Sequence, residues 1–173
     1  MLDGNRVHLR AMVTTDAETV LKIYGEGIKT GHATFEAEVP DWHKWDSGHL
    51  TQCKWVAEEG ETVLGWGALT QVSPRKVYSG VAEVSIYVSG LAQNQGIGSI
   101  LLERLITSSE KSGFWTLQAH VFPENKISIY VHEKHGFRKI GTRRQLALMS
   151  YGSIVGEWRD VILMERRSKI VGM

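Results

Sequence analysis

Gln93-Asn94-Gln95-Gly96-Ile97-Gly98-Ser99 is the stretch on which the reading of this chain turns. Before it runs Val81 to Val88, rich in β-branched residues and of strand length. After it, Ile100, Leu101, Leu102, Leu105 and Ile106 recur at helical intervals as far as Gly113. A strand that passes through a glycine-containing loop into a helix start aims unpaired backbone N–H groups and the positive end of the helix dipole at one point, which is a design for an anion. Gly96 and Gly98 permit close backbone approach and positive φ. Two common phosphate loops do not fit: there is no Gly-Lys-Ser/Thr, and Leu101 stands where the dinucleotide pattern needs a third glycine. On spacing alone, an ordinary strand-to-helix turn is an equal reading.

Outward from this loop, strands and helices alternate. Val7 to Met12 reads as a first strand, and Thr15-Asp16-Ala17-Glu18 has capping-box spacing ahead of a helix carrying Ala17, Val20, Leu21, Tyr24 and Ile28 on one face. Pro40 to Leu50, with Trp42 and Trp45, predicts a short second helix. Lys54 to Glu58 and Thr62 to Val72 form a hairpin around Glu59-Gly60-Glu61. Beyond Gly113 follow a strand from Trp115 to Val121, a helix from Asn125 to His135 stopped by Gly136, and strands from Phe137 to Leu148 and Trp158 to Glu165. The pattern predicts one domain over residues 1–173, an α/β (α+β layered) fold with a mixed central sheet flanked by helices.

Composition sets the outer bounds. With 173 residues, 18 Gly, 3 Pro, 42% hydrophobic and 23% charged side chains, the chain is neither disordered nor collagen-like. At this size roughly two thirds of the unfolded surface is buried on folding, enough for a continuous core. The single cysteine, Cys53, forbids an intrachain disulfide and zinc-ribbon or CxxC readings; it is expected to be a small buried residue in a reducing, cytoplasmic setting. No apolar run approaches the ~18 residues of a membrane span, and no basic-apolar leader is evident, so a soluble, unexported protein with no membrane partner is expected. Twenty Lys+Arg against nineteen Asp+Glu give a net charge of +1, which argues against a nucleic-acid partner.

Gln93, Gly96 and Gly98 resemble the Q/R-x-x-G-x-G/A signature of the GNAT acetyltransferase superfamily, whose loop amides hold the pyrophosphate of acetyl-CoA. The resemblance runs over nearly the whole chain and narrows to the phosphinothricin and methionine sulfoximine (sulfone) N-acetyltransferase branch. It is carried by Ala33-Thr34-Phe35-Glu36, Gly65-Trp66, Arg75 with Tyr78, Glu83-Val84-Ser85-Ile86-Tyr87-Val88, Glu124-Asn125, Ser128-Ile129, His132-Glu133-Lys134-His135-Gly136-Phe137 and Gly156-Glu157-Trp158-Arg159-Asp160-Val161. It implies the GNAT fold, acetyl-CoA as co-substrate, a small amino acid or analogue as acceptor, and a homodimer. The branch usually carries Arg-Gly-Arg or Arg-Gly-Lys where this chain has Gln93-Asn94-Gln95. Two cations are lost, but asparagine tolerates the left-handed region, so the loop shape can persist and phosphate capture falls to backbone amides.

The resemblance also suggests roles. Cofactor contacts fall on Ile86, Tyr87 and Val88, on Gln93, Asn94, Gln95, Gly96, Ile97, Gly98 and Ser99, and on Asn125 and Ser128. Glu83, on the same strand face as Ser85 and Tyr87 by alternation, matches the general base, directly or through water; a strand-end surface pair is the plainer alternative. His132 stands where this branch places a histidine able to protonate the CoA thiolate, against the alternative of a packed helix histidine. A backbone N–H near Tyr87 or Val88 is the expected oxyanion donor. For the acceptor, Arg75 would clamp a carboxylate with Tyr78 adding a hydroxyl, Val84 and Ser85 lying close and Phe35 and Trp66 as apolar walls; Trp66 reads equally as core. His132 and His135 have no third ligand nearby, so no metal is expected. No nucleophile motif is present, which favours direct transfer in a ternary complex. Other acceptors (a protein terminus, a polyamine or an antibiotic) and a non-catalytic acyl-CoA-binding module remain as alternatives.

Overall fold

A computed structural model describes residues 7–173. Seven strands form one sheet in the order β1-β2-β3-β4-β5-β7-β6: β1 Val7–Ala11, β2 Lys54–Glu59, β3 Thr62–Gln71, β4 Val81–Val88, β5 Thr116–Val121, β6 Arg138–Leu148 and β7 Trp158–Arg167. Every neighbouring pair is antiparallel except β4 and β5, which run parallel. The helices are α1 Ala17–Lys29, α2 Trp42–Ser47, α3 Ile97–Lys111 and α4 Lys126–Lys134. Among the described residues no helix is long and apolar enough to cross a membrane.

Alternation along the central strands buries both faces of the sheet, as two-sided helix cover requires. On one face α3 lays Leu101, Leu102 and Leu105, all fully buried, over β2, β3 and β4. That approach depends on Gly65 of β3, where a Cβ would meet the Tyr87 carbonyl at 2.8 Å and the side chains of Ile97 and Leu101 at 3.2 and 3.3 Å. On the other face Val20 and Ile23 of α1 and Trp45 of α2 close over Val56, Trp66 and Ala68. Cys53 is fully buried between Leu69 and the α3 side of the core.

Two local expectations are corrected. The turn into α1 is capped upstream of Thr15: Asp16 accepts the Val13 N–H at 2.8 Å while Arg10 grips the same carboxylate at 2.7 and 2.8 Å. The guanidinium, anchored also on Glu58 at 2.8 Å, decides which acid caps. The second helix is only Trp42–Ser47, because Asp41 caps it by accepting from the Lys44 N–H and Gly48 ends it.

The site follows from one register. Pairing between β4 and β5 covers only Val81↔Thr116, Ala82↔Leu117 and Glu83↔Gln118, after which both strands continue without each other. Beyond Glu83 they part. The edge of β4 that faces β5 therefore keeps unpaired backbone groups from Val84 to Val88, while its other edge stays bonded to β3.

Candidate active site

The fork between β4 and β5 opens into a cleft of about 1300 Å³, walled by residues 83–88 and 119–122, closed at one end by the loop into α3 and at the other by residues 32–36. Single small-ligand pockets run to roughly 300–1,000 Å³, so this cleft has room for two reactants. Val84 and Ile86 turn their side chains into the core and Tyr87 stacks on Trp66 at 4.7 Å. What these residues offer the cleft is backbone. Trp66 itself is 1% exposed and donates its Nε1–H to Val20 O, so the core reading holds for it.

At the loop, Asn94 sits at φ 59° and Gly96 at φ 83°, the second as N-cap of α3. The asparagine thus takes the left-handed conformation without a glycine. The Gly96 carbonyl accepts from Ser99 and Ile100, leaving the N–H groups of Ile97 and Gly98 with no protein acceptor among the described residues and directed toward the helix start. Gln93, Asn94, Gly96, Ile97, Gly98 and Ser99 line the cleft; Gln95 does not, because its Nε2 donates to the Leu91 carbonyl at 3.1 Å. The Gln95 side chain is thus turned away from the cleft, which leaves only its backbone to the loop. Ser99 spends its hydroxyl on His135 Nε2 at 2.7 Å. No atom lies within 4 Å of a Cβ placed on Gly96, so Gly96→Ala tests backbone strain alone. It should cost about 1–2 kcal/mol and raise the CoA Kd several-fold as the loop relaxes; unchanged melting and CoA titrations would dismiss the left-handed cap.

Across the cleft, Asn125 caps α4 by accepting the Ser128 N–H at 3.1 Å, which aims the start of that helix at the same space. One turn on, His132 is 6% exposed and its Nδ1–H donates to the Ser128 carbonyl at 2.7 Å. Its Nε2 is buried with no protein partner. Burial holds this imidazole below its ordinary range, so near neutrality the Nε2 lone pair is bare. Tyr130 is 65% exposed at the rim. Burial also lowers His49 and His135. For such histidines the unfolded chain binds protons that the folded one refuses. Their contribution is complete above the ordinary value of 6.5 and is lost as pH falls from there through the lowered folded values. Urea midpoints should therefore be lower at pH 5.5 than at 7.5; equal midpoints would contradict the burial of neutral rings.

Glu83 stands at the fork, its side chain 38% exposed, with Oε1 3.0 Å from Nδ1 of His120 on β5. Reading the chain missed His120: nothing in its surroundings marks it, and only the parallel register brings it to Glu83. It missed Arg159 as an organiser too. That β7 guanidinium, 4% exposed, donates to Gly31 O, is hydrogen-bonded to His32 Nδ1 and bonds Glu124, and it lies over the Phe122 ring at 4.2 Å. Phe122 in turn meets Phe35 edge-on at 4.9 Å, so this wall of the cleft is one packed unit.

Arg75 and Tyr78 are not part of this wall. They lie in the β3–β4 connection, Arg75 over the Tyr78 ring at 5.7 Å, and neither lines the cleft. The connection enters β4 at its start, whereas the cleft opens from Glu83 toward the other end of the strand. Arg143 of β6 does reach the cleft and has no ion-pair or hydrogen-bond partner among the described residues. Among those residues no cluster of three His, Cys, Asp or Glu side chains is placed to hold a metal.

A parallel pair that parts at a carboxylate, a glycine loop leading into a helix at the open end of the fork and a second helix start facing it are the layout of an acyl-CoA-dependent transferase. Residues 21–137 match the acetyltransferase (GNAT) family, and the chain belongs to that family. It is similar to the phosphinothricin N-acetyltransferase of Alcaligenes faecalis, 31% identical over 168 residues that cover 91% of this chain and 81% of that protein. It is also similar to the L-methionine sulfoximine/L-methionine sulfone acetyltransferase of Salmonella typhimurium, 28% identical over 110 residues covering 64% and 61%. Among solved structures, a GNAT superfamily phosphinothricin acetyltransferase from Sinorhizobium meliloti in complex with AcCoA superposes with a TM-score of 0.85 at 26% identity, covering 96% of this chain and 91% of that one.

Proposed function

We propose that this enzyme transfers the acetyl group of acetyl-CoA to the α-amine of a small amino acid or analogue of the phosphinothricin and methionine sulfoximine or sulfone type, directly and in a ternary complex. The observation that carries the reading is the fork itself: Glu83 stands where β4 and β5 part, beside the free backbone edge of Val84 to Val88 and above the loop at residues 93–99. The N–H groups of Ile97 and Gly98 receive the pyrophosphate, and the unpaired edge of β4 holds the pantetheine arm and, near Tyr87 or Val88, the oxyanion. Asn125 and Ser128 border the same arm from α4.

Glu83, itself or through a water, takes one proton from the acceptor ammonium. The freed electron pair attacks the acetyl carbon, and the carbon–sulfur bond breaks as the oxyanion collapses. The bare Nε2 of His132 suits a shuttle better than a standing acid: it accepts the second proton from the adduct nitrogen and returns it to the departing sulfur. Arg143 is the unpaired guanidinium on the cleft and suits an acceptor carboxylate.

The test is thiol release from acetyl-CoA against phosphinothricin, methionine sulfone and methionine sulfoximine, with a peptide N-terminus and a polyamine as competitors. Turnover with the amino-acid analogues is expected. Turnover confined to the peptide or the polyamine would reassign the acceptor.

A further inference from the structure

Among the described residues three buried side-chain atoms have no protein partner, Trp45 Nε1, His120 Nε2 and His132 Nε2, and all three belong to residues lining the cleft. His132 spends its other ring nitrogen inside its own helix. His120 spends its other nitrogen on Glu83, at 3.0 Å. A carboxylate oxygen accepts, so a hydrogen carried on Nδ1 would point this 3.0 Å contact at Oε1. Oε2 has no such contact among the described residues.

The placement has a topological cause. Glu83↔Gln118 is the last paired register of the parallel strands, and His120 lies two residues further along β5, on the same strand face as Gln118 and just past the point of parting. A glutamate whose side chain is 38% exposed at the point where two strands part has several rotamers open to it. A 3.0 Å contact from a half-buried ring on the opposite strand narrows that choice. The orphaned Nε2 is the cost of keeping an imidazole there, and a buried unsatisfied atom in a native site calls for a reason.

We propose that His120 is a positioning residue for Glu83: its Nδ1–H holds Oε1 so that Oε2 faces the acceptor ammonium. The proposal rests on the reading of Glu83 as the base. In the step it serves, an ammonium N–H bond breaks, the proton moves to Oε2, and the nitrogen keeps the electron pair for attack on the acetyl carbon. The Nδ1–H bond stays intact throughout, so His120 passes no proton.

Asparagine places an amide N–H where Nδ1 lies and has no counterpart of Nε2, whereas glutamine does the reverse. His120→Asn should keep kcat within about threefold of the parent, while His120→Gln and His120→Ala lose about 10- to 30-fold in kcat with both KM values nearly unchanged. In a Glu83→Gln background His120→Ala should change turnover by less than about twofold, because positioning has no effect without the base it positions. An Asn variant as slow as the Ala variant, an equal loss in both backgrounds, or a loss confined to KM would each overturn the role. Full turnover in Glu83→Gln alone would remove the base and the positioning role together; a slow Glu83→Gln without rescue by Asn would remove only His120. Should the variants fold poorly, imidazole ¹⁵N spectra of the unsubstituted protein decide: a protonated Nδ1 on His120 supports the assignment, and a bare one overturns it.

Discussion

Glu83→Gln should lower kcat by about 10²- to 10³-fold while leaving the CoA Kd unchanged. The substitution is a clean one. Glutamine has the same length, its carbonyl can keep the position of Oε1 beside His120 Nδ1, and the half-exposed side chain leaves no cavity in the core. What is lost is the capacity to take a proton. Since the acceptor amine must be neutral to attack, the deficit should shrink as pH rises toward the amine's own range and solvent supplies the free base. Steady-state kinetics from pH 7 to 10, with CoA titration by calorimetry, would show this. Turnover within threefold of the parent across that range would remove Glu83 from the mechanism.

Arg159→Ala should have the largest effect on stability with a functional signature attached. The guanidinium is 4% exposed and ties two segments distant from it in the chain: the Gly31 carbonyl at 3.0 Å with His32 at 3.1 Å, and Glu124 at 3.1 Å with Phe122 beneath it. Desolvation works to raise the Glu124 carboxyl, but its own backbone N–H and Arg159 outweigh it and hold the group below the usual carboxylate range. Removing a buried partner can cost 3–5 kcal/mol; Glu124 is 54% exposed and can return to water, so about 2–3 kcal/mol is expected, from the stranded carbonyl and the lost packing. For a chain of this size that is roughly 5–10 °C in Tm. Because Gly31 and His32 lead into the wall that carries Phe35, the acceptor KM should rise while the CoA KM does not. Arg159→Lys should not restore either, since one ammonium cannot span the three partners. Equal changes in both KM values would show that Arg159 supports the fold without shaping the acceptor side.

The loop at 93–99 and its flanking elements were legible because they are local. Strand, turn and helix each announce themselves by period, and the left-handed positions were foreshadowed by Gly96 and by an asparagine at 94. Glu83 was legible for a related reason: it lies on the strand that feeds the loop, with alternation setting its face. Where chain order misled, the cause was direction. Arg75 and Tyr78 are close to Glu83 in the chain, yet the turn that joins β3 to β4 sits at the end of β4 away from the opening. Gln95 was counted with its neighbours until a hydrogen bond to Leu91 turned it back.

By itself the sequence determined the layered architecture, the glycine loop into a helix and the place of Glu83 on the strand before it, since all of these are written in spacings of a few residues. Only the tertiary structure decided that β4 and β5 part after Glu83, and that His120, 37 positions later in the chain, meets it there. It also decided that one buried arginine on β7 gathers the cleft wall that carries Phe35. These are pairings across the sheet, and no period in the chain encodes a register between strands separated by a 15-residue helix.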